Sequence, residues 1–180
     1  MTILVQCVDS HDTPLFVKEK LAVHQGEGIL HRAVSVYIFS PDRQSILIQQ
    51  RAAHKYHSPL VWQNTCCTHP YINEDPQHSA ERRLFEEMGL AHIPLEKKLT
   101  FEYKTPVGDD LVEREYLHVF IGETGQDPLP NPDEVADTAW ISIDTLTQRS
   151  QTPDYIYEGK KLAPRTALTR PRVLSQLGQY

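Results

Sequence analysis

A chain of 180 residues is long enough to bury the core of one domain, and it carries a formal net charge of −6 at pH 7. This acidic balance argues against general nucleic-acid binding, which depends on basic surface, although a local basic cluster could still bind a small anion. No apolar run approaches the roughly 18 residues of a membrane span, and the amino terminus lacks the pattern of a signal peptide. Three cysteines, an odd number, suit free thiols. We therefore expect a cytoplasmic protein with no nucleic-acid or membrane partner.

Alternating apolar and polar residues predict several strands. Such alternation covers 30–39, and the turn at 41–44 leads into a second apolar stretch at 46–48, which indicates a hairpin. The remaining predicted elements are, in chain order, a strand at about 115–121, a loop with three prolines at 127–133, a strand at about 138–142 and a weaker helix after Ser142 or Asp144.

The best-defined helix covers 76–88. Asp75 is suited to cap it, Pro76 fits its first position and Gly89 ends it. Apolar residues at intervals of four give the helix one buried stripe, formed by Ala80, Leu84 and Met88.

Strands mixed with few helices indicate an α/β (α+β) sandwich. We expect a single domain over 1–180 that acts as a monomer. Prolines at 153, 164 and 171 predict that residues from about 150 to 180 form an irregular C-terminal cap or tail.

Two short segments carry reactive side chains at i and i+2, the spacing that puts both on one face of a strand. They are the pair Cys67 and His69 and the pair Glu113 and Glu115. If the two strands lie side by side, a metal site has an acid and a base within reach. The face of the two glutamates continues into the apolar series Leu117, Val119 and Ile121, which turns the carboxylates inward. The alternative is that the strand has not yet begun and both carboxylates are solvated.

Histidines supply further candidate metal ligands. Taken singly, His24 and His31 would each be interpreted as an ordinary surface histidine. Together with His69, Glu113 and Glu115 they make a set of three nitrogens and two oxygens. This set favours Mn²⁺ or Zn²⁺ over Mg²⁺.

Cys67 lies near the proposed metal and is a candidate proton donor, and the alternative is a buried inert cysteine. Its neighbour Cys66 should point to the other strand face and serve packing. Four basic residues would hold a diphosphate if they converge, although each could equally be solvated: Lys20, Arg51, Lys55 and Arg83.

The stretch 68–90 resembles the Nudix box, the signature of diphosphate-cleaving hydrolases. Box positions are occupied by Glu74, Glu86, Glu87 and Gly89. Two positions depart from the box: Thr68 stands where it has Gly, and Arg83 stands where it has the glutamate of an Arg-Glu pair. Replacing a metal-binding glutamate by a cation suggests a box that grips a diphosphate instead of breaking it.

With the Asn-Thr-Cys-Cys-Thr-His-Pro segment at 64–70, the chain resembles type 1 isopentenyl-diphosphate Delta-isomerases over about 15–142. These enzymes share the Nudix fold, which implies an α/β/α sandwich with a mixed β-sheet. The resemblance implies metal ligands at His24, His31, His69, Glu113 and Glu115. It implies catalytic roles for Cys67, Glu115 and Tyr103. It implies contacts to a prenyl diphosphate from Lys20, Arg51, Lys55 and Arg83. Finally, it implies a second, substrate-bound Mg²⁺ near Glu87 and the backbone of Cys67.

The implied reaction interconverts isopentenyl and dimethylallyl diphosphates. One group protonates the double bond to give a tertiary carbocation and the other removes a proton from the opposite side, in a pocket closed to water. The family places a tryptophan over this cation, but here Asp154 or a gap falls at that position, and Tyr155 or Tyr157 could replace it. The alternatives are a Nudix hydrolase of a nucleoside or prenyl diphosphate and a non-catalytic diphosphate-binding module.

Overall fold

The computed structural model describes residues 2–55, 58–108, 110–148, 156–157 and 160–175. The strands along these ranges are β1 (Leu4–Val8), β2 (Pro14–Glu19), β3 (His31–Phe39), β4 (Ser45–Arg51), β5 (Trp62–Gln63), β6 (Cys66–Thr68), β7 (Glu96–Gly108), β8 (Leu111–Glu123), β9 (Val135–Ser142), β10 (Ile156–Tyr157) and β11 (Lys160–Lys161). The helices are α1 (Lys20–His24), α2 (Pro76–Met88), α3 (Ile143–Gln148) and α4 (Pro164–Ser175).

Strand β3 organises the main sheet. Along one edge it pairs in parallel with β8 over its whole length, from His31 opposite Glu115 to Phe39 opposite Glu123. Along the other edge it pairs antiparallel with β1, then β6, then β4. The antiparallel pairing with β4 confirms the predicted hairpin. Parallel and antiparallel neighbours together make the sheet mixed, as expected.

The two faces of the sheet pack against different helices. Alternate residues of β3, such as Tyr37 and Phe39, lie in one buried cluster with Val173 and Leu174 of α4. The residues between them lie in a second buried cluster with the apolar stripe of α2, formed by Ala80, Leu84 and Met88. A period of two along the strand thus separates two cores and gives the expected α/β/α sandwich.

Helix α2 begins and ends where the sequence predicts. The side chain of Asp75 accepts a hydrogen bond from the amide of Gln77 at 2.8 Å, and Pro76 occupies the first turn. Gly89 adopts a left-handed conformation with φ of 67°, and its N–H donates to the carbonyl of Phe85. A side chain at Gly89 would also collide with the next layer, because a Cβ there would lie 2.6 Å from the carbonyl oxygen of Leu129.

The predicted loop at 127–133 docks on the C-terminal end of α2. Its amides at Leu129 and Asn131 donate to the carbonyls of Met88 and Glu87 at 2.8 and 2.9 Å. These carbonyls would otherwise lack partners at the end of a helix. Beyond the loop, β9 and α3 confirm the predicted strand and the weaker helix.

The expectation of an irregular tail is wrong for the part of it that the structure describes. Strands β10 and β11 form a short hairpin, and α4 follows with Pro164 in its first position and Pro171 inside. An internal proline costs a helix about 3 kcal/mol, but α4 buries Val173 and Leu174 fully in the core. Tertiary packing therefore outweighs the local signal. Among the described residues, no helix has the length and apolar character needed to cross a membrane.

Candidate active site

Three strands and helix α1 bring three histidines, two of them buried, and one buried carboxylate together. His31 at the start of β3 lies opposite Glu115 of β8, and His69 follows directly after β6. His69 Nε2 lies 3.1 Å from His31 Nε2 and 3.2 Å from Glu115 Oε1. His24, the last residue of α1, completes a set of four candidate ligand atoms that all lie within 4.8 Å of one another.

The surroundings of this group fit a divalent metal. Nδ1 of His24 lies 2.6 Å from the carbonyl of Lys20, and Nδ1 of His31 lies 2.7 Å from the carbonyl of Ile29. A carbonyl only accepts, so each Nδ1 carries the proton and each Nε2 keeps its lone pair for the centre of the group. Burial and the nearby Lys20 cation hold the pKa of His69 well below its usual range, which favours the neutral ring that a metal requires.

Glu113 and Glu115 both face inward, and the solvated alternative is wrong. Their exposures are 4% and 0%. The hydroxyl of Tyr103, which lies opposite Glu115 in the β7–β8 pairing, is 2.5 Å from Glu115 Oε2 and 3.0 Å from Glu113 Oε2. Glu113 lies outside the four-residue group, so Tyr103 links it to that group. Its predicted role as a metal ligand stays a prediction.

Cys67 lies in β6, opposite Ser35 of β3, and the residue is partly exposed. Sγ lies 3.2 Å from Asn64 Oδ1 and 3.5 Å from Ser35 Oγ. Polar neighbours and partial exposure do not match a buried inert cysteine. Cys66 does match one: it is fully buried in the cluster beside α2, and burial raises the pKa of its thiol well above the usual value.

The two catalytic candidates lie on the same face of the sheet, but their strands are not direct neighbours. Strand β3 runs between them, with Glu115 opposite its first residue and Cys67 opposite its fifth. At about 3.3 Å of rise per residue, about 13 Å of β3 separates the two levels. His69, two residues beyond Cys67, reaches across this interval, with its Nε2 3.2 Å from Glu115 Oε1. Helix α4 packs on the same face, as a closed pocket requires.

Two of the predicted diphosphate contacts meet at an acidic residue that the sequence did not single out. Lys55 Nζ and Arg83 Nη2 lie 2.8 and 3.0 Å from Glu134 Oε2. Arg51 is the last residue of β4, and the backbone amide of the next residue, Ala52, donates to the carbonyl of Glu134. Lys20 instead opens α1 beside the histidines, where its charge acts on His69. The structure thus brings Lys55 and Arg83 together and places Lys20 beside the histidine group.

Arginines engage the glutamates of the box-like segment. Arg82 holds Glu74 with two contacts of 2.7 and 2.8 Å and lies 3.0 Å from Glu86. Arg83 Nε lies 2.9 Å from Glu87 Oε1. The other carboxylate oxygen of Glu87, Oε2, accepts a hydrogen bond from Gln49 at 2.6 Å. Burial raises the pKa of Glu87, although the Arg83 cation opposes the shift.

Two tyrosines, Tyr155 and Tyr157, are the candidates for the role of the family's tryptophan. Tyr155 lies outside the described residues, and Tyr157 lies in β10. Which aromatic ring faces the substrate stays a prediction.

Comparison with known proteins identifies relatives of this chain. The model of the NUDIX domain matches residues 29–160. The chain is 47% identical over 148 residues to the isopentenyl-diphosphate Delta-isomerase of Streptomyces coelicolor, covering 82% of this chain and 75% of the relative. It is 46% identical over 151 residues to the enzyme of that name from Pectobacterium atrosepticum, covering 83% of each.

Solved structures share the fold at low sequence identity. DR0079 from Deinococcus radiodurans superposes with a TM-score of 0.73 at 15% identity, over 94% of this chain and 98% of that one. The Nudix hydrolase RenU from M. smegmatis superposes with a TM-score of 0.57 at 15% identity, over 96% and 94%. The chain belongs to the Nudix family and, within it, to the isopentenyl-diphosphate Delta-isomerases.

Proposed function

We propose that this chain is a metal-dependent isomerase that interconverts isopentenyl and dimethylallyl diphosphates in isoprenoid biosynthesis. One observation carries the proposal: the Cys67 thiol and the Glu115 carboxylate lie on one sheet face, on either side of β3, beside a group of three histidines. Relatives that carry this activity in their names match four fifths of the chain.

The reaction needs an acid on one side of an alkene and a base on the other. In the proposed mechanism Cys67 protonates the double bond to give a tertiary carbocation, and Glu115 removes a proton from the opposite side. Tyr103, whose hydroxyl is 2.5 Å from the carboxylate, orients Glu115. The apolar residues of α4 on this face keep water from the cation.

Two metals are part of the proposal. His24, His31, His69, Glu113 and Glu115 would hold Mn²⁺ or Zn²⁺, and Glu87 with the Cys67 backbone would help to hold a Mg²⁺ that arrives with the substrate. A bound cation would supply charge that tunes the proton affinity of Glu115 and neutralises the diphosphate.

Basic side chains would anchor the diphosphate and so position an otherwise featureless five-carbon tail. In this role we propose Lys20, Arg51, Lys55 and Arg83. The convergence of Lys55 and Arg83 on one Glu134 oxygen supports it, because this carboxylate keeps the two cations together where an anion would bind. We further propose that the enzyme acts as a monomer in the cytoplasm, without nucleic-acid or membrane partners.

The hydrolase alternative fits the site less well. In Nudix hydrolases the glutamates of the box bind the metals that activate water. Here Arg82 engages Glu74, and Arg83 lies between Glu86 and Glu87. A non-catalytic binding module is also a poorer fit, because such a module has no use for a thiol placed opposite a buried carboxylate.

The proposal is tested by incubating the purified protein with isopentenyl diphosphate, Mg²⁺ and Mn²⁺, and measuring dimethylallyl diphosphate and released phosphate in the same samples. We expect the isomers to interconvert without phosphate release. Cys67→Ala should lose at least about 100-fold in rate, as is usual when a general acid is removed, whereas Cys66→Ala should keep the activity. Absence of interconversion by the wild type, or equal rates for wild type and Cys67→Ala, would contradict the proposal.

A further inference from the structure

The side-chain amide of Asn64 has one defined orientation. Asn64 is fully buried, and its Nδ2 lies 2.9 Å from the carbonyl of Val36, 3.1 Å from the carbonyl of Cys66 and 3.0 Å from Ser35 Oγ. Carbonyl oxygens only accept hydrogen bonds, so the nitrogen of the amide must face them. The oxygen of the amide must therefore face the opposite way.

The oxygen of Asn64 meets two donors. The Cys67 thiol donates to it at 3.2 Å, and the hydroxyl of Thr166 donates to it at 3.2 Å. The same Thr166 hydroxyl accepts from the backbone N–H of Asn64 at 3.1 Å. Thr166 thus holds Asn64 at both its backbone and its side chain, and Asn64 in turn holds the sulfur.

Thr166 belongs to α4, which is itself firmly attached to the sheet. Val173 and Leu174 of this helix are fully buried in the core. The helix therefore gives Thr166 a fixed position relative to β3 and β6. Thr166 lies beyond residues 29–160, the part of the chain that the NUDIX model matches.

We propose that Thr166 is a positioning residue that aims the Cys67 thiol through Asn64, so that the C-terminal helix helps to build the active site. The inference rests on the proposed function, in which the acid must approach one side of a small alkene. Orientation of this kind matters, because a misplacement of about 1 Å can reduce a rate by about 100-fold. The described hydrogen bonds of the Thr166 hydroxyl are both to Asn64, so its effect on the thiol is exerted through that residue.

The test compares three variants at two neighbouring threonines of α4. Thr166→Val keeps the shape and removes the hydroxyl, Thr166→Ser keeps the hydroxyl, and Thr169→Val removes a buried hydroxyl that bonds Tyr37 and not Asn64. We expect Thr166→Val to lower kcat by about 10- to 100-fold with KM for isopentenyl diphosphate within about twofold of wild type. Thr166→Ser should recover kcat to within about threefold, and Thr169→Val should leave it unchanged. If Thr166→Val does not fold, Thr166→Ala takes its place.

A second readout does not depend on the activity. In the native protein Cys7 and Cys66 are buried, so iodoacetamide reports chiefly on Cys67. We expect alkylation to be at least about threefold faster in Thr166→Val than in wild type, because the thiol loses its fixed acceptor, and unchanged in Thr169→Val.

The outcomes separate the two proposals. If the wild type isomerises and Thr166→Val keeps its kcat, or changes KM alone, the positioning role is overturned and the isomerase function stands. If the wild type does not isomerise, the proposed function fails, and the alkylation rate alone decides the role of Thr166: equal rates in wild type and Thr166→Val overturn it.

Discussion

Replacing Arg83 by glutamine should destabilise the protein strongly, because this arginine compensates a buried carboxylate. Its side chain is 20% exposed, and that of its partner Glu87 is only 4% exposed. Burial acts to lower the pKa of Arg83, but the carboxylates of Glu87 and Glu134 outweigh it and hold that pKa above the usual arginine value. Arg83→Gln would leave the charge of Glu87 inside the protein without its cation.

The size of the effect follows from the burial of each contact. Removing one partner of a buried ion pair lowers the free energy of unfolding by about 3–5 kcal/mol. The partial exposure of Arg83 favours the lower end of that range. The contacts to Glu86 and Glu134 are more exposed and add about 0–1 kcal/mol each. We therefore expect a loss of about 3 kcal/mol, which corresponds to a fall in Tm of about 6–12 °C for a chain of this size.

Urea unfolding of Arg83→Gln, Glu87→Gln and the double variant measures this loss. The double variant should be more stable than Arg83→Gln alone, because it no longer buries an unpaired charge. The loss in Arg83→Gln should also shrink as the pH falls from neutral toward the ordinary glutamate value of 4.5, since a proton then neutralises Glu87, whose pKa burial already raises. Arg43→Gln, which breaks a pair whose arginine is 54% exposed, is the matched control and should cost less than about 1 kcal/mol. A loss below about 1 kcal/mol in Arg83→Gln, or a double variant less stable than the single one, would refute the reasoning.

Three further predictions concern other parts of the molecule. Glu74→Gln should destabilise the protein at neutral pH, because the hydrogen bond from Arg82 lowers the pKa of this carboxyl. The stability advantage of the wild type should be lost as the pH falls below the ordinary glutamate value of 4.5. An equal difference in stability at every pH in urea melts would contradict the pairing. Tyr103→Phe removes a hydrogen bond to a carboxylate worth about 1.5–3 kcal/mol, so kcat should fall by about 10- to 100-fold with little change in KM, and an unchanged kcat in steady-state assays would exclude the orienting role. Gly89→Ala should lower the free energy of unfolding by about 2–4 kcal/mol, from left-handed strain and the clash with Leu129. Gly26→Ala is the control, because Gly26 has a similar φ of 60° but open space around it, and it should cost only about 1–2 kcal/mol. Equal losses of stability in thermal melts would show that the clash is relieved.

Local patterns in the sequence were sufficient to predict the elements that depend on nearby residues. The cap at Asp75, the end at Gly89 and the inward face of Glu113 and Glu115 all follow from spacing within a few residues, and the structure confirms them. Of the predicted site, the structure brings together the three histidines and Glu115, and it places Tyr103 on the carboxylate.

Features that depend on long-range pairing could not be predicted in this way. Nothing near Cys67 indicates that β3 runs between it and Glu115, since strand order is set by contacts far apart in the chain. Glu134 follows a proline-rich loop and has no local signal, yet two predicted diphosphate contacts meet on it. The prolines that predicted an irregular tail are real helix breakers, but the core that α4 fills is visible only in three dimensions.

Proton exchange with solvent tests the central claim most directly. Isopentenyl diphosphate is incubated in D₂O with Mg²⁺, Mn²⁺ and either the wild-type protein or Glu115→Gln, and deuterium in the recovered diphosphates is measured by mass spectrometry. An acid and a base acting through a carbocation predict steady incorporation of deuterium by the wild type and at least about 100-fold slower incorporation by Glu115→Gln. No incorporation by the wild type, or equal incorporation by both proteins, would contradict the account.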